Sequence, residues 1–205
     1  MNKLLIALAV LTITVGIQGC SKVVPSSVSL GVSSTDIGNS NKITEAEYAN
    51  TFKVDTRRAD VKVNFNRLHL AYRHENIRSG GVDEIPSLIN TDHNWMGVGV
   101  NTPLGGSVTY YQDLSHKLWM VDLEGKYKIK HKLSVVIGAF HLDKDGGSLF
   151  KSGGRRTTGL RGGMSYEIIK NLNLDIFYEV LNNGASTIQD GVMTGISYLI
   201  PIKGR

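Results

Sequence analysis

Thr157-Thr-Gly-Leu-Arg-Gly-Gly-Met-Ser-Tyr-Glu-Ile-Ile169, then Lys170-Asn171, then Leu172-Asn-Leu-Asp-Ile-Phe-Tyr-Glu-Val180, reads as two strands joined by a short turn. Before the turn, Thr158, Leu160, Met164, Tyr166 and Ile168 fall on one face, with Gly162 as the gap. Arg161, Gly163, Ser165 and Glu167 fall on the other. After it, Leu172, Leu174, Ile176, Tyr178 and Val180 share a face opposite Asn173, Asp175 and Glu179. Successive side chains of a strand point to opposite sides of its sheet, so a period of two marks a strand. Each run is about ten residues long, enough to cross a bilayer when tilted. One face is apolar and the other charged, the sidedness of a transmembrane β-barrel.

Working outward, Val28, Leu30 and Val32 alternate with Ser29, Gly31 and Ser33, and Val61, Val63 and Phe65 with their neighbours. Leu68, Leu70 and Tyr72 continue the apolar set one position out of phase. That slip requires a tight turn or a bulge at Asn66-Arg67, because a one-residue shift exchanges the two faces. Met96, Val98 and Val100 mark a further strand. Thr102-Pro103-Leu104-Gly105 is a turn, and Val108 and Tyr110 begin the return. Trp119, Val121, Leu123, Tyr127 and Ile129 alternate with Met120, Asp122, Glu124, Lys126 and Lys128. Lys130-His131-Lys132 makes a turn, and residues 133–142 are apolar on both faces. Val192, Thr194, Ile196, Tyr198 and Ile200 close the chain. Residues 34–57, 75–92, 143–155 and 182–191 read as long polar loops, with a connection at Gln112–His116.

Short connections (66–67, 102–105, 130–132, 169–171) thus alternate with generally longer ones, as periplasmic turns alternate with external loops in outer-membrane barrels. The expectation is an all-β, antiparallel up-and-down transmembrane β-barrel of eight to ten strands. Ten is preferred, because the alternation of Ser27–Ser33 is clean. A soluble lipocalin-like carrier is the rival, with the same period and the opposite sense. It would need an apolar interior, and the early Gly-x-Trp that lipocalins carry is absent.

Composition bounds the rest. With 205 residues, one domain is the default. A formal charge of +5 fits contact with anionic lipid as well as with nucleic acid and selects neither. The barrel pattern makes outer-membrane lipid or lipopolysaccharide, and an external protein ligand, the expected partners, and nucleic acid not.

Met1-Asn2-Lys3 and the apolar run Leu4–Ile17 form a secretory signal peptide over residues 1–19. Ile17-Gln18-Gly19-Cys20 resembles a bacterial lipobox. That resemblance implies a lipidated Cys20, a linker over 20–26, a barrel over 27–205 and, since Ser21 follows the cysteine, export to the outer membrane of a Gram-negative bacterium. The chain ends Ile200-Pro-Ile-Lys-Gly-Arg205, whereas outer-membrane barrels usually end on an aromatic.

The polar face gathers Asp122, Glu124, Lys126, Arg161, Glu167, Asp175 and Glu179 at similar depths on neighbouring strands, with both signs present. These are expected to close the lumen as a charge network, since a barrel this narrow is roughly filled by side chains. Lys151, Arg155 and Arg156 form a basic patch suited to lipopolysaccharide phosphates.

No catalytic residues are assigned. The last hairpin and Tyr198-Leu-Ile-Pro-Ile202 resemble the lipid A deacylase barrels, which would imply a lipid-modifying acyl hydrolase. Where those enzymes carry His-x-Ser-Asn, this chain reads Tyr178-Glu-Val-Leu-Asn-Asn183, without the base or the nucleophile. Ser115-His116 are adjacent and, in a strand, would point apart. His74-Glu75 and His93 can meet across one loop, but no metal-ligand spacing joins the six histidines. Asp143-Lys-Asp-Gly-Gly147 lacks the closing acid of a calcium loop and reads as a turn. No cofactor or metal is expected. The reading is a non-enzymatic outer-membrane barrel with a charged, closed lumen, acting in envelope structure or in recognition through its external loops.

Overall fold

The structure is a computed structural model that describes residues 24–39, 52–81, 89–115, 118–144, 157–182 and 188–202. Its elements are β1 (Ser27–Asn39), β2 (Phe52–Phe65), β3 (Leu68–Gly81), β4 (Ile89–Asn101), β5 (Gly106–Asp113), β6 (Leu118–Lys130), β7 (Leu133–Lys144), β8 (Thr157–Ile169), β9 (Leu172–Asn182) and β10 (Ile188–Pro201). Each strand pairs antiparallel with its sequence neighbours, and β1 pairs with β10, so the ten strands close into an up-and-down barrel.

Following paired residues round the barrel gives its tilt. Asn39 leads through Gln189, Leu181, Gly159, Phe140, Asp122, Thr109, Gly99, His69 and Asn64 to Ser27, twelve residues back along β1. A ten-strand barrel with that stagger has strands inclined at roughly 40° to its axis.

The sense of the alternation is unambiguous. On β8, Leu160 is 61% exposed and its neighbour Arg161 6%. The exposed large apolar side chains lie mostly on the outward sets, and the arginines and carboxylates of β2, β3, β6, β8 and β9 face in. The chain is therefore a transmembrane barrel and not an apolar-cored carrier. Tyr127, Tyr166 and Tyr198 each stand three residues from the turn end of their strands and face outward, forming one girdle. Toward the loop end, Trp119 stacks on Tyr110 (centroids 6.4 Å apart) and packs against His141 at 5.6 Å. Eight residues of β6 separate Trp119 from Tyr127. At the rise and tilt of such strands that is roughly 20 Å, close to the height of a membrane belt.

The phase slip is a two-residue turn. Phe65 pairs with Leu68 across Asn66-Arg67, with Asn66 at φ 58°. In the β8–β9 turn it is the second residue, Asn171, that is left-handed, at φ 68°, a conformation asparagine tolerates better than most residues.

In three of the expected loops, strand takes up half of the residues or somewhat more. β1 runs on to Asn39 and β2 starts at Phe52; β3 runs to Gly81 and β4 starts at Ile89; β10 starts at Ile188. Hydrophobic alternation stops earlier, because strands that project past the apolar belt no longer need lipid-compatible outer faces. Arg57, Asn76 and Asp92 face outward there, and the Asn76 amide donates to Asp92 at 2.7 Å. Backbone pairing continues where the side-chain pattern has ended.

Candidate functional site in the barrel interior

Three tiers of side chains fill the interior. The middle tier is ionic. The Arg73 guanidinium reaches Asp60 at 2.6 Å and Asp122 at 3.2 Å, and lies 4.8 Å over the Tyr111 ring. From the opposite wall Arg161 reaches the other oxygen of Asp122 at 2.6 Å and Glu124 at 3.1 Å. Asp122 thus bridges two arginines. Arg58 pairs with Glu75 at 2.8 Å. Gly138 makes room for this tier, since a Cβ there would stand 2.6 Å from Arg161 Nε.

Beside the Arg73–Asp122 pair, on β3 to β7, the interior turns apolar. Trp95, Tyr111, Met120 and Ala71 form a buried cluster, against which Leu118, Phe140 and Leu142 pack. This accounts for the doubly apolar stretch 133–142: Val136, Gly138, Phe140 and Leu142 face in, while Val135, Ile137 and Ala139 face lipid. His93 stacks on Trp95, and its Nδ1 lies 2.5 Å from Asp113. Glu75 is the cross-strand partner of His93, so those two do meet as the sequence allows.

Toward the turns the interior opens into a vestibule of about 510 Å³. Lys62, Lys126, Lys128 and Lys132 line it with Ser134 and Asn173. Lys126 donates to Ser165 at 2.7 Å.

The seven residues expected to form one network are spread through this arrangement. Asp122, Glu124 and Arg161 come together. Lys126 lies lower, on a serine. Glu167 accepts the Asn171 N–H at 2.9 Å, and Asp175 accepts from Ser197 at 2.7 Å, both near the turns. Glu179, 2% exposed, keeps one oxygen without a hydrogen-bond partner. The stagger of the barrel is the reason: residues paired across neighbouring strands do not lie at one depth. Sequence reasoning missed Arg58, Asp60, Arg73 and Glu75. Their signal was present, because they alternate with Val61 on β2 and Tyr72 on β3 as Asp122 does with Val121.

Lys151, Arg155, Arg156 and Cys20 lie outside the described residues. At the stretch compared with the deacylases, the Tyr178 hydroxyl donates to Asp190 on the outer surface. Among the described residues no three His, Cys, Asp or Glu side chains gather as a metal site would require.

No protein-family model and no curated protein matches the chain. Solved structures similar to it include Ail, the attachment invasion locus protein of Yersinia pestis (13% identity, 86% of this chain and 100% of that one, TM-score 0.38). Others are Neisserial surface protein A (16%, 83% and 96%, 0.36) and the NanC porin (12%, 82% and 98%, 0.45). Likenesses this distant bear on neither activity nor ligand.

Proposed function

We propose that this chain is a closed, non-enzymatic barrel of the bacterial outer membrane, acting in envelope structure or in recognition through its loops. One observation carries the reading: side chains that would line a pore are buried. Trp95, Tyr111 and Met120 are 1%, 2% and 4% exposed, beside arginine–carboxylate pairs that join β3 to β8 across the interior. An open channel would leave them wet. Strands that continue past the apolar belt hold the loop bases as a paired rim, which suits presentation of loops to a partner. The outward apolar belt and girdles support placement in a membrane, and the outer membrane is where export by the N-terminal segment would deliver a barrel.

Reconstitution into planar bilayers tests the closed lumen. The wild type should show no steady stepwise current, whereas Trp95→Ala combined with Arg161→Ala should introduce one. Steady stepwise conductance from the wild type would overturn the reading.

A further inference from the structure

We propose that the turn-end vestibule is a binding site for a small multivalent phosphate, entering from the side of the short turns. The charges in the vestibule are unevenly matched. Arg58, Arg73 and Arg161 are each engaged by carboxylates at 2.6–3.2 Å. Among the described residues, by contrast, no carboxylate lies within ion-pairing distance of Lys62, Lys126, Lys128 or Lys132. The acids that share the cavity have other partners: Asp60 and Asp122 pair with Arg73 and Glu124 with Arg161, while Glu167 accepts the Asn171 N–H and Asp175 accepts from Ser197. The cavity lining thus carries seven cationic side chains, four of them these lysines, against five carboxylates.

The fold also sets these lysines against one another. Lys126 and Lys128 are successive inward positions of β6, and Lys132 lies in the turn that follows. Lys62 is on β2, four strands away in a ring of ten, and so projects from across the lumen. Lysines on two walls of one cavity give it a surplus of one sign, which a bound anion with two or more charges offsets. A concave wall of one sign also concentrates counter-ions. Lysine binds phosphate as a point charge, and a cavity of about 510 Å³ is in the range of small-ligand sites. The phosphate could belong to a free solute or to a phospholipid headgroup at the turn-side membrane surface. The site does not depend on what the loops recognise.

Calorimetric titration of the folded full chain in zwitterionic detergent with sodium pyrophosphate tests this. The expected result is saturable one-to-one binding that weakens with salt. Lys62→Gln with Lys126→Gln should bind at least about tenfold more weakly, and Lys170→Gln, on a neighbouring turn outside the cavity, as the wild type. If the double variant fails to fold, as judged by heat-modifiable mobility, exposed Lys128→Gln with Lys132→Gln replaces it. Doping the micelles with phosphatidylglycerol separates the two sources. Competition with pyrophosphate identifies the headgroup as an occupant, and unchanged pyrophosphate affinity identifies a free solute. Absence of saturable binding, or equal affinity in wild type and lysine variants, overturns the proposal. A non-conducting barrel with no pyrophosphate binding would defeat this inference alone.

Discussion

At the residue scale, Asp122 holds the interior together. Its two oxygens receive different arginines, from β3 and β8, so one carboxylate ties walls that are not neighbours in the barrel. Removing one partner of a buried ion pair leaves the other charge uncompensated, which costs about 3–5 kcal/mol. Asp122→Ala should therefore lower the urea midpoint in detergent far more than Lys126→Met, which removes one hydrogen bond to Ser165. Equal losses would show that the middle tier is not the clamp. Two neighbouring glycines give a second contrast. A Cβ at Gly159 would stand 2.1 Å from the Phe140 ring, whereas at Gly162 nothing lies within 4 Å. Gly159→Ala is expected to destabilise the barrel by about 1–3 kcal/mol through overpacking. Gly162→Ala, on the lipid face, should leave the unfolding midpoint unchanged or slightly raised.

At the scale of the element, the hairpins show how far the sequence could be read. The outward faces of β6, β8 and β9 are legible because lipid tolerates little polarity, so their alternation is nearly unbroken from Ile129, Ile168 and Leu172 inward. β7 was ambiguous because its inner face belongs to the apolar plug, and period-two reasoning fails when both sides are dry. The loop-end extensions of β1 to β4 were hidden for the opposite reason: polar residues predominate on both faces, so no hydrophobic alternation marks the strand. The charge tiers were half legible. Which residues face in follows from the phase, but which of them meet depends on stagger, a property of closure that no single strand encodes. Turn chemistry is local and testable. Asn66→Val or Asn171→Val puts a β-branched residue at φ 58° or 68° and should cost about 1 kcal/mol. Glycine at either position should restore stability in the same denaturant titration.

At the scale of the whole molecule, the two tryptophans report on sidedness. Trp119 faces outward among Tyr110 and His141, and Trp95 lies inside on His93. In vesicles containing brominated lipid, a Trp95→Phe variant, which keeps Trp119 on the outward face at 7% exposure, should be quenched measurably. A Trp119→Phe variant, which keeps Trp95, should be little quenched. The reverse pattern would mean that the barrel is inside out with respect to lipid. Taken with the absence of current expected of a filled interior, the two measurements separate orientation from closure.

The seam between β1 and β10 has its own consequence. It consists of 13 paired positions, from Ser27 with Pro201 to Asn39 with Gln189, and continues in the Ile202 N–H donated to the Ser26 carbonyl at 3.0 Å. Every other strand pairing joins neighbours in sequence. Among the described strands, this pairing alone joins the first to the last and turns a ribbon of hairpins into a cylinder. Closing so long a loop is entropically slow, and until it closes both edge strands present unpaired backbone to whatever is nearby. The commitment step in making this protein is therefore the meeting of its first strand with its last. Until it occurs the chain is most exposed to aggregation, and a cellular factor that templates an open edge would have most to contribute.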